Sequence, residues 1–395
     1  MDVSIDQCRW TERVCSTSVG RQENREESRV ELTEDQQQFK DVVQRFFTEQ
    51  SSSTAVRELM ATPHGYDPLV WQKMCGEVGL TGTHIPELYG GFGFGPVELG
   101  LVAEEMGRHL YCGPFFSSAV MAGYALLQLT NETPKLQLLP AIADGSSITT
   151  LVLDDLNRPS ALGHSLKSDT GRVSGTASMV LDAGIANQLF VVAAHATGFG
   201  LYLIDPAANG VVIQALEVID PTRKLYSVTF DKAEAELLGD LSAQQLDELW
   251  AQLSLTLAHE MIGGAQYLLD STVDYMKLRV QFGRAIGSFQ SLKHRCADLL
   301  MELELAKSAV RYASFSEAAG KGETYLPSMA KAMASDVYMT IAKAAVQLRG
   351  GIGFTWEDDT HLWFKRAKSS EVLLGSPDLH RERMLTLMEG SSYVA

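Results

Sequence analysis

The residues best suited to chemistry sit at three places in the second half of the chain. Arg279-Val280-Gln281-Phe282-Gly283-Arg284, followed by Gln290, gathers fixed cations, an aromatic face and a glycine turn in one stretch. An anionic ligand would suit such a set, because a guanidinium neutralises phosphate oxygens and glycine lets a backbone approach closely. The same residues would equally make a plain interhelical loop with solvated arginines. A second glycine loop, Gln347-Leu348-Arg349-Gly350-Gly351-Ile352-Gly353-Phe354, ends a helical stretch, where glycine is also the common C-terminal cap. It is not a dinucleotide fingerprint, since it follows a helix and lacks the G-x-G-x-x-G spacing. The third place is Glu260, in Leu257-Ala258-His259-Glu260-Met261-Ile262-Gly263-Gly264-Ala265-Gln266. Gly263 and Gly264, at i+3 and i+4, clear space on the glutamate's own face. A carboxylate facing that cleft would be desolvated, which raises its pKa and strengthens it as a base. The alternative is a glutamate paired with an Arg or Lys of a neighbouring helix. His259 reads as structural or exposed.

The elements that must position these groups change character along the chain. Thr33 can cap a helix and Gln36 can complete a capping box. Phe39, Val42, Val43, Phe46 and Phe47 then recur at the spacing of one buried helical face, and similar patterns run to about 145. Gly90-Gly91-Phe92-Gly93-Phe94-Gly95 interrupts them with a tight turn whose backbone can come close to a neighbour. Between about 146 and 240 short apolar runs such as Thr149 to Leu153, Leu189 to Val192 and Gly200 to Ile204 are separated by Gly, Asn, Asp and Pro. No amphipathic helix lies between them, so an antiparallel barrel or sandwich is favoured over a Rossmann sheet. From 241 the helical period returns and persists to the C-terminus. The expected fold is α+β and multidomain: a flexible extension over 1–29, an N-terminal α-helical domain over 30–145, a middle antiparallel β domain over 146–240, and a C-terminal four-helix bundle over 241–395.

Composition narrows the function classes. With 33 basic and 49 acidic residues the net charge is −16, which argues against a nucleic-acid partner or an electrostatically bound membrane. Cys8, Cys15, Cys75, Cys112 and Cys296 are scattered and odd in number, so neither a disulfide framework nor a metal site is expected and a reducing, cytoplasmic setting fits best. No apolar run is long enough for a membrane span. Residues 1–29 hold five Arg and six acidic residues with no apolar core, unlike a secretory or organelle leader.

Taken together, the loops, their order and the α, β, α layout resemble the acyl-CoA dehydrogenase family of flavoproteins over about 31 to 385. Gly79-Leu80-Thr81-Gly82-Thr83-His84-Ile85-Pro86-Glu87-Leu88-Tyr89-Gly90-Gly91 looks like its helical domain, and Asp220-Pro221-Thr222-Arg223 like the turn closing its β domain. The most specific signatures are Arg279-x-x-Phe282-Gly283 with Gln290, and Gln347-x-x-Gly350-Gly351-x-Gly353. The resemblance implies FAD-dependent α,β-desaturation of an acyl-CoA thioester, a glutamate base, and an electron-transfer flavoprotein or similar acceptor. It further implies that Arg279, Phe282, Gln290, Gln347 and Gly351 contact the ADP half of an FAD whose flavin end lies in a neighbouring subunit.

Two departures complicate a simple homo-oligomer. Where the family carries its flavin-ring motifs, this chain has Leu153 to Pro159 and Ser178-Met179-Val180-Leu181, so the aromatic and hydroxyl contacts are expected to be lost. Where many members carry a C-terminal glutamate base, Leu373-Leu374-Gly375-Ser376 stands. Glu260 is then the candidate base. The sequence is similar to an actinobacterial subfamily of α2β2 heterotetramers in steroid catabolism, which implies a related, unlike partner chain and a steroid-derived acyl group. A catalytically silent subunit that completes another chain's FAD site is the competing expectation.

Overall fold

Thr33 opens the first helix as its residue type predicts: its hydroxyl accepts from the Gln36 amide at 3.2 Å, while Gln36 Oε1 accepts from the Thr33 amide at 3.0 Å. This helix, α1 (Glu34–Gln50), buries Phe39, Val43, Phe46 and Phe47. Val42 lies outside the stripe. The computed structural model describes residues 31–157 and 165–390. The expected extension over 1–29 lies outside the described residues.

The N-terminal helices continue with α2 (Ser53–Ala61), α3 (Pro68–Lys73), α4 (Pro96–Arg108), α5 (Gly123–Leu127) and α6 (Glu132–Ala143). A π-helical run over Phe115–Ala122 leads directly into α5. The glycine turn before α4 does approach a backbone closely, and that backbone is the chain's own. A Cβ on Gly91 would stand 2.0 Å from the Ile85 carbonyl oxygen.

The middle of the chain forms one eight-stranded sheet of β1 (Thr149–Val152), β2 (Lys167–Asp169), β3 (Arg172–Leu181), β4 (Gln188–His195), β5 (Gly198–Ile204), β6 (Val211–Ala215), β7 (Leu225–Glu234) and β8 (Glu236–Leu241). The expectation of a purely antiparallel barrel or sandwich is corrected here, because the sheet is mixed. It runs in the order β6-β7-β3-β2-β4-β5-β8, with β1 also on β4, and both β1 and β2 pair with β4 in parallel. The short-strand pattern carried no information on direction, since β1 reaches β4 across some 35 intervening residues rather than through a hairpin turn.

The C-terminal bundle is built from α7 (Ala243–Leu278), α8 (Gln290–Ala318), α9 (Leu326–Arg349), α10 (Thr360–Val372) and α11 (Pro377–Met388). Helix α4 packs against α7 with backbones in near contact. A Cβ on Gly107 would fall 1.9 Å from the Glu260 carbonyl oxygen, and one on Gly263 would fall 1.8 Å from that of Glu104. The glycines beside Glu260 therefore make room for helix α4, and Gly264 for the Tyr338 ring, instead of opening a cleft.

Candidate active site

Glu260 lies on the inward face of α7 and is buried. Both its carboxylate oxygens are occupied. Arg223 Nη2 donates to them at 2.6 and 2.7 Å, and Arg366 Nη1 donates to Oε1 at 2.7 Å. Arg223 comes from the turn before β7 and also donates to Ser370 Oγ at 2.7 Å. Arg366 comes from α10 and reaches the opposite carboxylate of Asp220 at 3.0 Å, together with the hydroxyl and carbonyl of Thr222. Two carboxylates and two guanidiniums thus neutralise one another in the interior, tying the β-domain turn to two bundle helices.

This geometry overturns the expected pKa. Burial alone would raise the Glu260 carboxyl, but the guanidiniums of Arg223 and Arg366 outweigh it and hold the group below its ordinary value. Asp220 and Glu260 likewise push Arg366 up against the opposing effect of its burial. The carboxylate is consequently a weakened base, with two donors on Oε1 and one on Oε2. The cavity beside it has a volume of about 30 Å³ and is lined by Tyr111, Phe115, Phe116, Asp182, Arg223 and Arg366 among others. That is room for one or two waters. The Asp182 carboxyl in the same wall is pushed up to about 6 by burial, against a hydrogen bond from Ser117 Oγ at 2.6 Å.

The C-terminal position where the resemblance would put a glutamate holds no base. Leu374, in the place where many relatives of this pattern carry a glutamate, is fully buried with φ of 59°. Its carbonyl is engaged by His380 Nε2 at 2.9 Å, and buried Lys331 donates to the carbonyl of Ser370 at 3.0 Å. Met179 sits at a bulge between β3 and β7 with φ of 59°, its sulfur 3.0 Å from Asn157 Nδ2. His259 is structural. It joins Glu104 at 3.0 Å and Ser314 at 2.7 Å across three helices, and all three residues are buried.

The anion-loop candidates lie elsewhere. Arg279 caps α7, and the chain then makes a two-stranded hairpin, β9 (Val280–Gln281) with β10 (Arg284–Ala285), turning through Phe282 and Gly283, both with positive φ. Phe282 is 90% exposed. Gln290 starts α8, while Gln347 and Gly351 lie at the end of α9. Arg349 braces the two loop bases, donating to Thr272 Oγ1 and Ser271 Oγ of α7 with its guanidinium over the Tyr275 ring. Arg279, Gln290, Gln347 and Gly351 are all exposed, and nothing stands within 4 Å of the Cβ position on Gly351. An outward-facing cation, an uncovered aromatic ring and an open glycine fit the ADP half of an FAD. The wall beside Glu260 does not fit a flavin ring. At 1.5 Å per helical residue, Arg279 is about 28 Å along α7 from Glu260, so the two sets belong to different sites.

Sequence reasoning missed Arg223 and Arg366 as partners of Glu260. A signal was present: Leu362, Trp363, Arg366, Ala367 and Ser370 share one buried stripe of α10, and an arginine there requires a buried anion. Among the described residues no cluster of His, Cys, Asp or Glu could hold a metal ion, and no helix is long and apolar enough to cross a membrane.

Comparison with known proteins agrees with this architecture. Residues 33–146 match the acyl-CoA dehydrogenase N-terminal domain and residues 252–388 its C-terminal domain. The chain is 34% identical to acyl-CoA dehydrogenase IpdE2 of Mycobacterium tuberculosis over 344 residues, covering 87% of this chain and 94% of the relative. Among solved structures it resembles a chain of the Tcur3481-Tcur3483 steroid ACAD, with TM-score 0.82, 27% identity and coverage of 90% and 98%. It shares the fold of a chain of the ChsE4-ChsE5 complex from Mycobacterium tuberculosis, with TM-score 0.84, 23% identity and coverage of 92% and 100%. The chain belongs to the acyl-CoA dehydrogenase family, FAD-dependent oxidoreductases acting on acyl-CoA.

Proposed function

We propose that this chain is one half of an unlike pair of acyl-CoA dehydrogenase subunits and that its part is to complete the partner's FAD site. The observation that carries this reading is the engaged carboxylate of Glu260, whose oxygens are both held by arginines beside a cavity of only about 30 Å³. FAD, when bound between the two chains, supplies the hydride acceptor for α,β-desaturation. On this side Arg279 neutralises pyrophosphate charge, Phe282 covers apolar cofactor surface, Gly351 admits the cofactor backbone, and Gln290 and Gln347 supply amide hydrogen bonds. The proton is taken by a base of the partner. Glu260 anchors the interface between the sheet and the bundle. The likeness to the Tcur3481-Tcur3483 steroid ACAD supports a steroid-derived acyl group and an unlike partner; an electron-transfer flavoprotein or similar acceptor and a cytoplasmic setting complete the proposal.

One observation keeps a second reading in play: Glu260 does line the cavity. Displacement of Arg223 and Arg366 would turn it into the base first expected. The experiment is flavin content of the chain purified alone and co-expressed with the unlike chain. The engaged-carboxylate reading expects little flavin alone and stoichiometric flavin in the pair. Stoichiometric flavin in a homo-oligomer of this chain would overturn it.

A further inference from the structure

A second cleft opens on the far side of Lys224, where the loop at Pro63 and His64 faces the end of β6, the start of β7 and Gly184. Its volume is about 450 Å³, within the range of roughly 300 to 1,000 Å³ typical of small-molecule sites. The walls are apolar, formed chiefly by Ala215, Leu216, Val218, Pro221, Leu225 and the Tyr226 ring, and no carboxylate lines it. Ile219 at the adjoining turn is 72% exposed, so apolar surface continues outward from the mouth.

The cleft contains one well-placed cation. Lys224 Nζ donates a single hydrogen bond, to the Met60 carbonyl at 2.8 Å, and an ammonium has three hydrogens to give. Its stem is held in place by Gly65: a Cβ there would stand 2.7 Å from the lysine Cγ. His64 also lines the cleft. An apolar trough ending at a fixed ammonium, with no carboxylate in its own lining although Asp182 of the adjoining cavity attracts the same lysine, is complementary to a long apolar molecule that carries one negative charge at its end. We propose that this cleft is a binding site for an amphipathic monocarboxylate, its apolar body against Leu216, Val218 and Leu225 and its carboxylate at Lys224.

The probe is dodecanoate, titrated calorimetrically into the full chain, with dodecanol and dodecanoyl-CoA as comparisons. Saturable one-to-one binding of dodecanoate is expected. Lys224→Met should weaken it by about tenfold or more, the scale of a charge-assisted hydrogen bond, while dodecanol binding stays unchanged. Ala215→Trp, at an exposed position that tolerates the larger ring, should fill the trough and abolish binding of both without shifting the melting temperature. Absence of saturation, or dodecanoate binding that survives Ala215→Trp, would overturn the proposal. So would dodecanoyl-CoA competing as tightly as the free acid, because the cleft would then hold a thioester's acyl chain and Lys224 would recognise no carboxylate. None of these outcomes depends on flavin content, so the proposal and the engaged-carboxylate reading can fail separately.

Discussion

Replacing Glu260 by glutamine separates an anchor from a base. The amide keeps the shape but removes the charge that neutralises Arg223 and Arg366, and both guanidiniums remain buried. Removing one partner of a buried ion pair costs about 3–5 kcal/mol, and the amide oxygen still accepts one hydrogen bond, which places the variant toward the lower end. For a chain of this size the melting temperature should fall by about 4–5 °C. The acid side gives a second readout. Because the folded pKa of Glu260 is depressed below its ordinary value near 4.5, its ion pairs stabilise the fold above that value and lose this contribution as pH falls through the folded pKa. The Gln variant should therefore melt with a flatter pH profile below about pH 4.5, where wild type loses ground. Well below the melting temperature, anaerobic stopped-flow bleaching of the flavin by acyl-CoA in the assembled pair should remain near the wild-type rate. Loss of a general base would instead cost about 10²-fold or more. Melting unchanged and bleaching reduced by that factor would refute the anchor and restore Glu260 as the base.

Arg279→Ala should lower flavin retention in the pair by about tenfold or more, the scale of a charge-assisted contact, and leave the melting temperature of the chain alone unchanged; equilibrium dialysis and calorimetry check this. Leu374→Glu should not create activity, because that side chain is fully buried; it should lower the melting temperature, and any gain in flavin reduction would contradict the placement. Asp182→Asn should raise stability at neutral pH. The Asp182 carboxyl titrates near 6 in the fold, so wild type is favoured while the group is protonated and loses that advantage as pH rises through about 4 to 6, a slope that the Asn variant should lack. Gly263→Ala should drive α4 and α7 apart and destabilise strongly, since the added methyl meets the Glu104 carbonyl rather than a movable side chain.

Local chemistry made part of this molecule legible in its sequence. The Thr33 and Gln36 capping pair, the stripe of Phe39, Val43, Phe46 and Phe47, and the turn through Phe282 and Gly283 are decided by neighbours within a few residues, and each is present. Strand direction was not legible, because β1 and β2 meet β4 in parallel through long-range pairing that no local pattern encodes. The environment of Glu260 was misread for a related reason. Gly263 and Gly264 advertise space beside the glutamate, but only the fold says that α4 and the Tyr338 ring fill it. Its partners stand 37 positions before it and 106 after it, and only the turn before β7 and the buried stripe of α10 bring them together.

The placement of charge also explains why the two halves of the chain's chemistry can diverge. The residues proposed to face ADP are exposed and braced from behind by Arg349, so they contribute little to the core and are free to serve a ligand. Substitution there changes binding before it changes folding. The centre at Glu260 has the opposite economy: Asp220, Arg223, Glu260 and Arg366 are mutually neutralising and buried, so each removal leaves an unpaired charge in the interior. Such a cluster holds the sheet against the bundle whether or not a substrate enters. A chain that keeps both features can lose its own centre and still be required by its partner, provided its outward loops stay rigid, and that dependence is what the co-expression experiment measures.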